Sequence, residues 1–365
     1  MISDSNSKLN SNTHRLTTIK EIQLNEKKKR FSTTSVFSLK GWKLFLLILG
    51  ICVASLIMVG LIVMRVFHSG SRWLAPEEIA PHQIYYKSQV LYEAACILAG
   101  IGLPLVGASM QVTTRNKLAE PTTLGFYPII YMGLLLSQLS LSSNGTDFGF
   151  SFLLSFMVVF INFIVLRGKA SKQTFKSILI GFALNAIITG CNYLIITYSR
   201  AKGDPLSWLT GSFGNVTLER IYISTGLILF FTVVLLFLIP YFNIIQKDYI
   251  IAKTLGIKVD LIYWIVAFSA VVITVSSVLI IGGVVLIGIV VPHLVRISFR
   301  TDDNRIVLPF SALFGMFLLS MSSWMVSGIS SEYGVSLNIN LLIALISVPI
   351  FFLILRGSRK GKSVN

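Results

Sequence analysis

Ten apolar runs of membrane-crossing length fill residues 43–356 and restrict the fold class more than any other feature of the chain. A hydrocarbon core of about 30 Å calls for roughly 20 apolar residues per helix. Within it each backbone N–H and C=O must be satisfied inside the segment, so runs of this kind form helices. They cover residues 43–66, 89–111, 121–140, 148–166, 177–199, 219–241, 260–282, 283–298, 307–327 and 339–356. The seventh and eighth are nearly continuous and divide at Gly282 and Gly283, where the backbone is permissive enough to break. The expected architecture is an all-α integral membrane protein with about ten transmembrane helices. Composition agrees, since 54% of the 365 residues are hydrophobic and only 13% are charged, against about 25% in soluble domains.

The basic residues carry topology. The net charge is +16, but the lysines and arginines are scattered between apolar runs and form no basic, aromatic-interleaved face, so nucleic acid is not an indicated partner. An even number of spans puts both termini on one side. That side holds 25 of the 31 Lys and Arg residues; the other holds Arg65, Arg72, Lys87, Arg200, Lys202 and Arg220. The positive-inside rule then makes both termini cytoplasmic in a multi-pass cell-membrane protein. Residues 1–42, with the run NEKKKR and many Ser, Thr and Asn, read as a basic, disordered cytoplasmic tail. Residues 43–356 form the transmembrane domain and 357–365 a second cytoplasmic tail. The first run is too long for a signal-peptide core and is expected to be retained.

Several chemistries have no footing in the pattern. Cys52, Cys96 and Cys191 all lie inside apolar runs, and the four histidines are dispersed, so neither a disulfide framework nor a metal site is expected. The tail GSRKGKS has three residues between its glycines where a Walker A loop needs four, and no helix follows it. Acidic residues are nearly absent from the spans, Glu93 being the main exception, which weakens a proton- or sodium-coupled carrier.

Polar residues inside the spans are few and placed. Asn185, Thr189 and Asn192 recur at helical spacing in the fifth span. Such a stripe serves either interhelical hydrogen bonding or the lining of a translocation path. The stretch AGIGLPLVGAS, residues 99–109, concentrates small residues that allow close helix approach. Residues 202–220 read as an outer interfacial helix anchored by aromatics or as a docking surface. Residues 243–258, NIIQKDYIIAKTLGIK, fit neither a loop nor a span. Ile250, Ile251, Thr254 and Ile257 give one apolar face, Lys247, Lys253 and Lys258 stay solvated, and Gly256 is placed to end the helix. The face suits a groove in a partner or a bed of lipid headgroups.

Five stretches, taken in order, resemble the FecCD-type membrane permeases of ABC importers for ferric siderophores, haem and cobalamin. They are GASMQVTTRNKLAEPTTLG (107–125), LIGFALNAI (179–187), LSWLTGSFGNV (206–216), IGIVVPHLVR (287–296) and DDNRIVLPFSALFG (302–315). The resemblance implies a type II importer permease that pairs with a second permease subunit, in a heterodimer as read here. Two ATPase subunits would supply energy from ATP and magnesium, and an extracellular substrate-binding lipoprotein would deliver the ligand. The chain itself binds no cofactor and is not an enzyme on this reading. Residues 243–258 become the ATPase-coupling segment, with Asp248, Ala252, Leu255 and Gly256 at its centre. Gln111, Asn185, Thr189, Asn192 and Asn338 become candidates for the path.

The departures are also specific. Gln89, Val90, Leu91 and Tyr92 stand where the family has Arg-Leu-Pro-Arg. Ser323 and Ser327 replace an Asp and an Arg, Ser336–Asn340 replace Glu-Leu-Pro-x-Gly, and Lys117 replaces a proline. With the family arginines missing, Arg72, Lys87, Arg200 and Lys202 are the candidates for binding-protein docking, unless the partner subunit retains those arginines. The expected function is ferric siderophore import by ATP-driven alternating access. Haem or cobalamin import, an ion-coupled carrier and a lipid-bound scaffold are the alternatives.

Overall fold

The computed structural model describes residues 49–50, 53, 60, 68–69, 72–73, 83–140, 144–165, 174–199, 216–333, 337 and 339–360, all within one compact unit, Leu47–Asn365. The N-terminal tail lies outside the described residues, as does nearly all of the first apolar run. A short antiparallel pair, β1 (His68–Ser69) and β2 (Arg72–Trp73), precedes the helices. These are α1 (Gln83–Thr114), α2 (Phe126–Ser140), α3 (Asn144–Val165), α4 (Thr174–Ser199), α5 (Leu218–Phe237), α6 (Ile239–Lys247), α7 (Tyr249–Thr254), α8 (Val259–Ile281), α9 (Ile287–Phe299), α10 (Asn304–Tyr333) and α11 (Ile339–Lys360).

Nine of the ten expected runs fall on helices. Among the described residues, segments of α1, α4, α5, α8 and α10 are long and apolar enough to cross a membrane, and segments of α2, α3, α9 and α11 are shorter apolar helices. Helix ends depart from the expected runs by up to six residues, and three of the departures bear on the architecture. The third run opens with a 3-10 turn, Pro121–Leu124, and Gly125 at φ +81° before α2 begins. The sixth is interrupted at Leu238, after which Pro240 starts α6 in the first turn, where a missing N–H costs nothing. The last continues to Lys360, four residues past the expected end.

Helix α1 is the axis of the bundle, and its small residues explain why. Gly100 faces the backbone of Gly315 and Met316 on α10, Gly102 faces Ile273 on α8 and Ile228 on α5, and Gly107 faces Gly288 on α9. The buried residues show the directions. At one end Ala95 and Cys96 share a cluster with Ile221, Ile280, Ile281, Leu319 and Val326. At the other, Leu105 to Val112 cluster with Leu235, Val266, Ala270, Val307 and Leu308. Helices α8 and α10 therefore run antiparallel to α1, and α5 runs parallel to it.

A buried ion pair locks one end of this arrangement. Arg220, at the start of α5, bonds to Asp147 in the first turn of α3 and donates to the Leu279 carbonyl of α8 at 3.4 Å. Removing one partner strands the other charge in an apolar setting, a loss of about 3–5 kcal/mol in buried pairs. Arg220→Met is expected to lower the melting temperature of the purified protein well beyond Arg220→Met with Asp147→Leu together. Differential scanning fluorimetry in detergent reads both; equal melting temperatures would refute the pairing.

Candidate functional site

Two features of the bundle are built for work beyond packing: an exposed apolar knob on α7, and a broken helix pair between α8 and α9.

The knob is held rigidly from beneath. Asp248 caps α7, its carboxylate accepting from the N–H groups of Ile250 (2.7 Å) and Ile251 (3.3 Å). The other end closes as expected at Gly256, whose φ of +79° suits glycine alone among common residues. There the Gly256 N–H donates to Lys253 and the Ile257 N–H to Ala252, the paired bonds of a Schellman cap. Tyr249 lies between two cations, the Arg115 guanidinium at 5.0 Å and the Lys253 ammonium at 4.9 Å. A hydrogen bond with the Tyr249 hydroxyl, supported more weakly by the charge of Asp260 and opposed by desolvation, holds the Lys253 pKa above the ordinary lysine value. Asn304, at the start of α10, donates its amide to Asn243 (2.9 Å) and Gln246 (2.6 Å) on α6, and Asn243 donates to Asp303 at 2.8 Å. Helix α7 thus touches Arg115 just past the end of α1, and the neighbouring α6 is bonded to the start of α10.

The four candidate coupling residues take different places on this frame. Asp248 and Gly256 shape the knob. Ala252 is fully buried, so any part it has in coupling comes from seating α7 on its own bundle. Leu255 is 59% exposed and Ile250 is 70% exposed. Lys247, Lys253 and Lys258 are solvent-facing around them. The face differs from the one read by periodicity, because Ile251 and Ile257 are partly buried and Ile257 packs on the core cluster.

The second feature lies where the sequence divides the seventh and eighth runs. Helix α8 stops at Gly282, with φ +80° and ψ −174°, and α9 begins after Leu286, which has left-handed φ +68°. With 13 residues, α9 is about 20 Å long at 1.5 Å per residue, too short to cross alone. The intervening backbone is held by side chains from several elements. The Tyr127 hydroxyl of α2 donates to the Val284 carbonyl at 2.6 Å. Asn340 of α11 donates to the Gly283 carbonyl and accepts from the Val285 N–H at 3.4 Å. Glu120 bonds to the Leu286 backbone and accepts from the Thr122 hydroxyl. Gln111 donates to the Gly288 carbonyl at 3.0 Å and accepts from Arg296 at 2.6 Å, while Arg296 reaches Asp302 at 3.6 Å.

The path candidates separate accordingly. Gln111 is buried and clamps α9 to α1. Asn192 is buried and donates to the Pro128 carbonyl of α2 at 2.8 Å, the interhelical use of the polar stripe. Asn185 and Thr189 bond to each other along α4, where Thr189 is exposed. Asn338 lies outside the described residues. Of the docking candidates, Lys87 is in the first turns of α1 and Arg72 in β2, whereas Arg200 and Lys202 lie outside the described residues. No group of three or more metal-binding side chains is present among the described residues. Sequence reading missed Tyr127, Glu120 and Asn340 as clamps. Glu120 and Asn340 left traces, the one inside the 107–125 motif and the other as the polar last residue of the altered Ser336–Asn340 stretch.

Comparison with known proteins fits this geometry. The model of the FecCD transport family matches residues 43–357. The Fe(3+)-citrate import system permease protein YfmE of Bacillus subtilis (strain 168) is 27% identical over 266 residues, covering 71% of this chain and 78% of the relative. The probable heme-iron transport system permease protein IsdF of Staphylococcus aureus (strain Newman) is 28% identical over 226 residues, covering 61% and 67%. A solved structure of metal-chelate ABC transporter type, in an inward-facing conformation, superposes with a TM-score of 0.74 at 22% identity, covering 85% of this chain and 99% of that one.

Proposed function

The chain belongs to the FecCD transport family, the permease subunits of ABC importers rather than enzymes, and from that premise we propose that it carries ferric siderophores across the cytoplasmic membrane. It pairs with a second permease subunit, and two ATPase subunits hydrolyse ATP with magnesium against its coupling segment. An extracellular binding lipoprotein presents the ligand, and both termini are cytoplasmic. The ligand class is supported by the names of the relatives, which specify iron citrate, petrobactin, hydroxamate and haem iron.

The observation that carries the energy-coupling part is the rigid α7 knob. Ile250 and Leu255 expose apolar surface on a helix capped at both ends and wired to α1 and α10. An exposed apolar pair ringed by three lysines is a site for a partner groove with an acidic rim. Closure of an ATPase pair would move the knobs and rock the bundles, opening the path on one side at a time.

The test is reconstitution in vesicles with the second permease, the ATPase and the binding protein. Uptake of radiolabelled ferric hydroxamate or ferric citrate is expected only with enclosed ATP and an active ATPase. Uptake driven by a proton or sodium gradient without ATP would refute the mechanism. Haem uptake in place of ferric chelates would correct the ligand alone. In the same assay Asn192→Leu is expected to reduce uptake severalfold by freeing α4 from the Pro128 carbonyl; unchanged uptake would remove Asn192 from the working parts.

A further inference from the structure

We propose that the extended stretch Gly282–Val285 lines the aqueous conduit and presents its backbone to the passing ligand, an oxygen-rich polar chelate with its hydration shell. The proposal rests on the transport reading and concerns a segment to which neither the family resemblance nor the comparisons give a role.

The depth of the stretch follows from close contacts. Gly102 of α1 packs on Ile273 of α8, and Gly107 packs on Gly288 of α9. From Ile273 to Ile281 the antiparallel α8 climbs about 12 Å at 1.5 Å per residue, while Gly107 lies about 8 Å from Gly102 in the opposite direction. The chain must therefore return about 20 Å between Ile281 and Gly288, which seven residues manage at an extended rise of about 3.3 Å each but not as helix. Non-helical backbone thus crosses the middle levels of the bundle.

Such backbone persists at membrane depth only where protein buries it or water reaches it. Protein burial accounts for the first three residues and stops at the fourth. Gly282, Gly283 and Val284 are buried, yet the next residue, Val285, is 43% exposed. The clamps from Tyr127 and Asn340 satisfy the Val284 and Gly283 carbonyls and the Val285 N–H. Among the described residues the Val284 N–H donates no hydrogen bond and the Val285 carbonyl accepts none. One donor and one acceptor are left beside an exposed side chain, in a segment aimed by a strained residue: Leu286 at φ +68° lies where non-glycine residues cost about 1–2 kcal/mol. A backbone donor and acceptor recognise hydroxyl, amide or carboxylate oxygens, or ordered water, without fixing one chelate.

Cysteine accessibility decides the matter. In a chain with Cys52, Cys96 and Cys191 changed to serine or alanine, Val285→Cys and Val284→Cys are compared in the assembled transporter in vesicles. A charged, membrane-impermeant methanethiosulfonate is expected to label Val285→Cys at least an order of magnitude faster than Val284→Cys. Adding Asn340→Leu is expected to raise the labelling of Val284→Cys by releasing the clamp. Modified Val285→Cys is expected to lose ferric citrate and ferric hydroxamate uptake while retaining ATPase assembly. Labelling of Val285→Cys only by a lipid-soluble maleimide, crosslinking of Val285→Cys to a neighbouring permease in place of labelling, or full uptake after modification would each overturn the proposal. The labelling arm needs neither ligand nor ATP, so failure of the siderophore assignment or of ATP coupling would leave its result readable.

Discussion

Gly107→Leu is expected to abolish the assembled permease. A Cβ at Gly107 would come within 2.5 Å of the Gly288 Cα and meet the Gly288 carbonyl as well, so the obstacle is backbone that no rotamer change removes. Overpacking against side chains typically costs about 1–3 kcal/mol, and a backbone collision adds separation of the helices themselves. The contact also sits where Gln111 donates to Gly288 and Glu120 packs beside it, so one shift opens a hydrogen-bonded junction. The expected readout is loss of the monodisperse peak in fluorescence-detected size exclusion, with no uptake. Gly226→Leu is the matched control, since a Cβ there meets nothing within 4 Å. A normal peak and wild-type melting temperature for Gly107→Leu would show that α1 and α9 are not in contact.

Leu255→Asp is expected to separate transport from folding. Leu255 is 59% exposed and follows a helix whose C-terminal cap bonds are made by backbone, so an aspartate there costs the permease little. At an interface the same change buries a carboxylate without a partner, and truncation at such hot spots commonly costs about 2 kcal/mol or more. ATP-driven uptake and co-purification of the ATPase should both fall by more than an order of magnitude while the melting temperature of the permease holds. Ala252→Asp is expected to behave oppositely, lowering stability first, because Ala252 is sealed in the bundle. Retained ATPase binding by Leu255→Asp would move the coupling site off α7.

Much of the fold was legible because its main determinants are local. Apolar run length gave nine helices with ends up to six residues off, and Gly282 and Gly256 marked a break and a cap, since each has a positive φ. Residues 243–258 were legible as a mixed apolar and basic stretch, but the face they leave exposed was not. Periodicity places Ile250, Ile251 and Ile257 together, whereas the bundle claims Ile257 and leaves Leu255 outside. The polar stripe was legible as a pattern and ambiguous in use until Asn192 met the Pro128 carbonyl. Glu93, the acid noticed within a span, is buried one heptad from the Gly100–Gly315 contact, on the face of α1 that meets α10.

The sequence by itself determined a helical membrane protein, its family, the approximate extent of nine helices and the break at Gly282. These follow from segment length, side-chain polarity and backbone permissiveness, all of which act within a few residues of their cause. The tertiary structure alone decided that α1 is the axis, that Arg220 meets Asp147 across 73 positions, and that Tyr127, Glu120, Gln111 and Asn340 converge on one broken stretch. Each of these joins residues far apart in the chain, and their polarity finds its partner only after the apolar faces have packed.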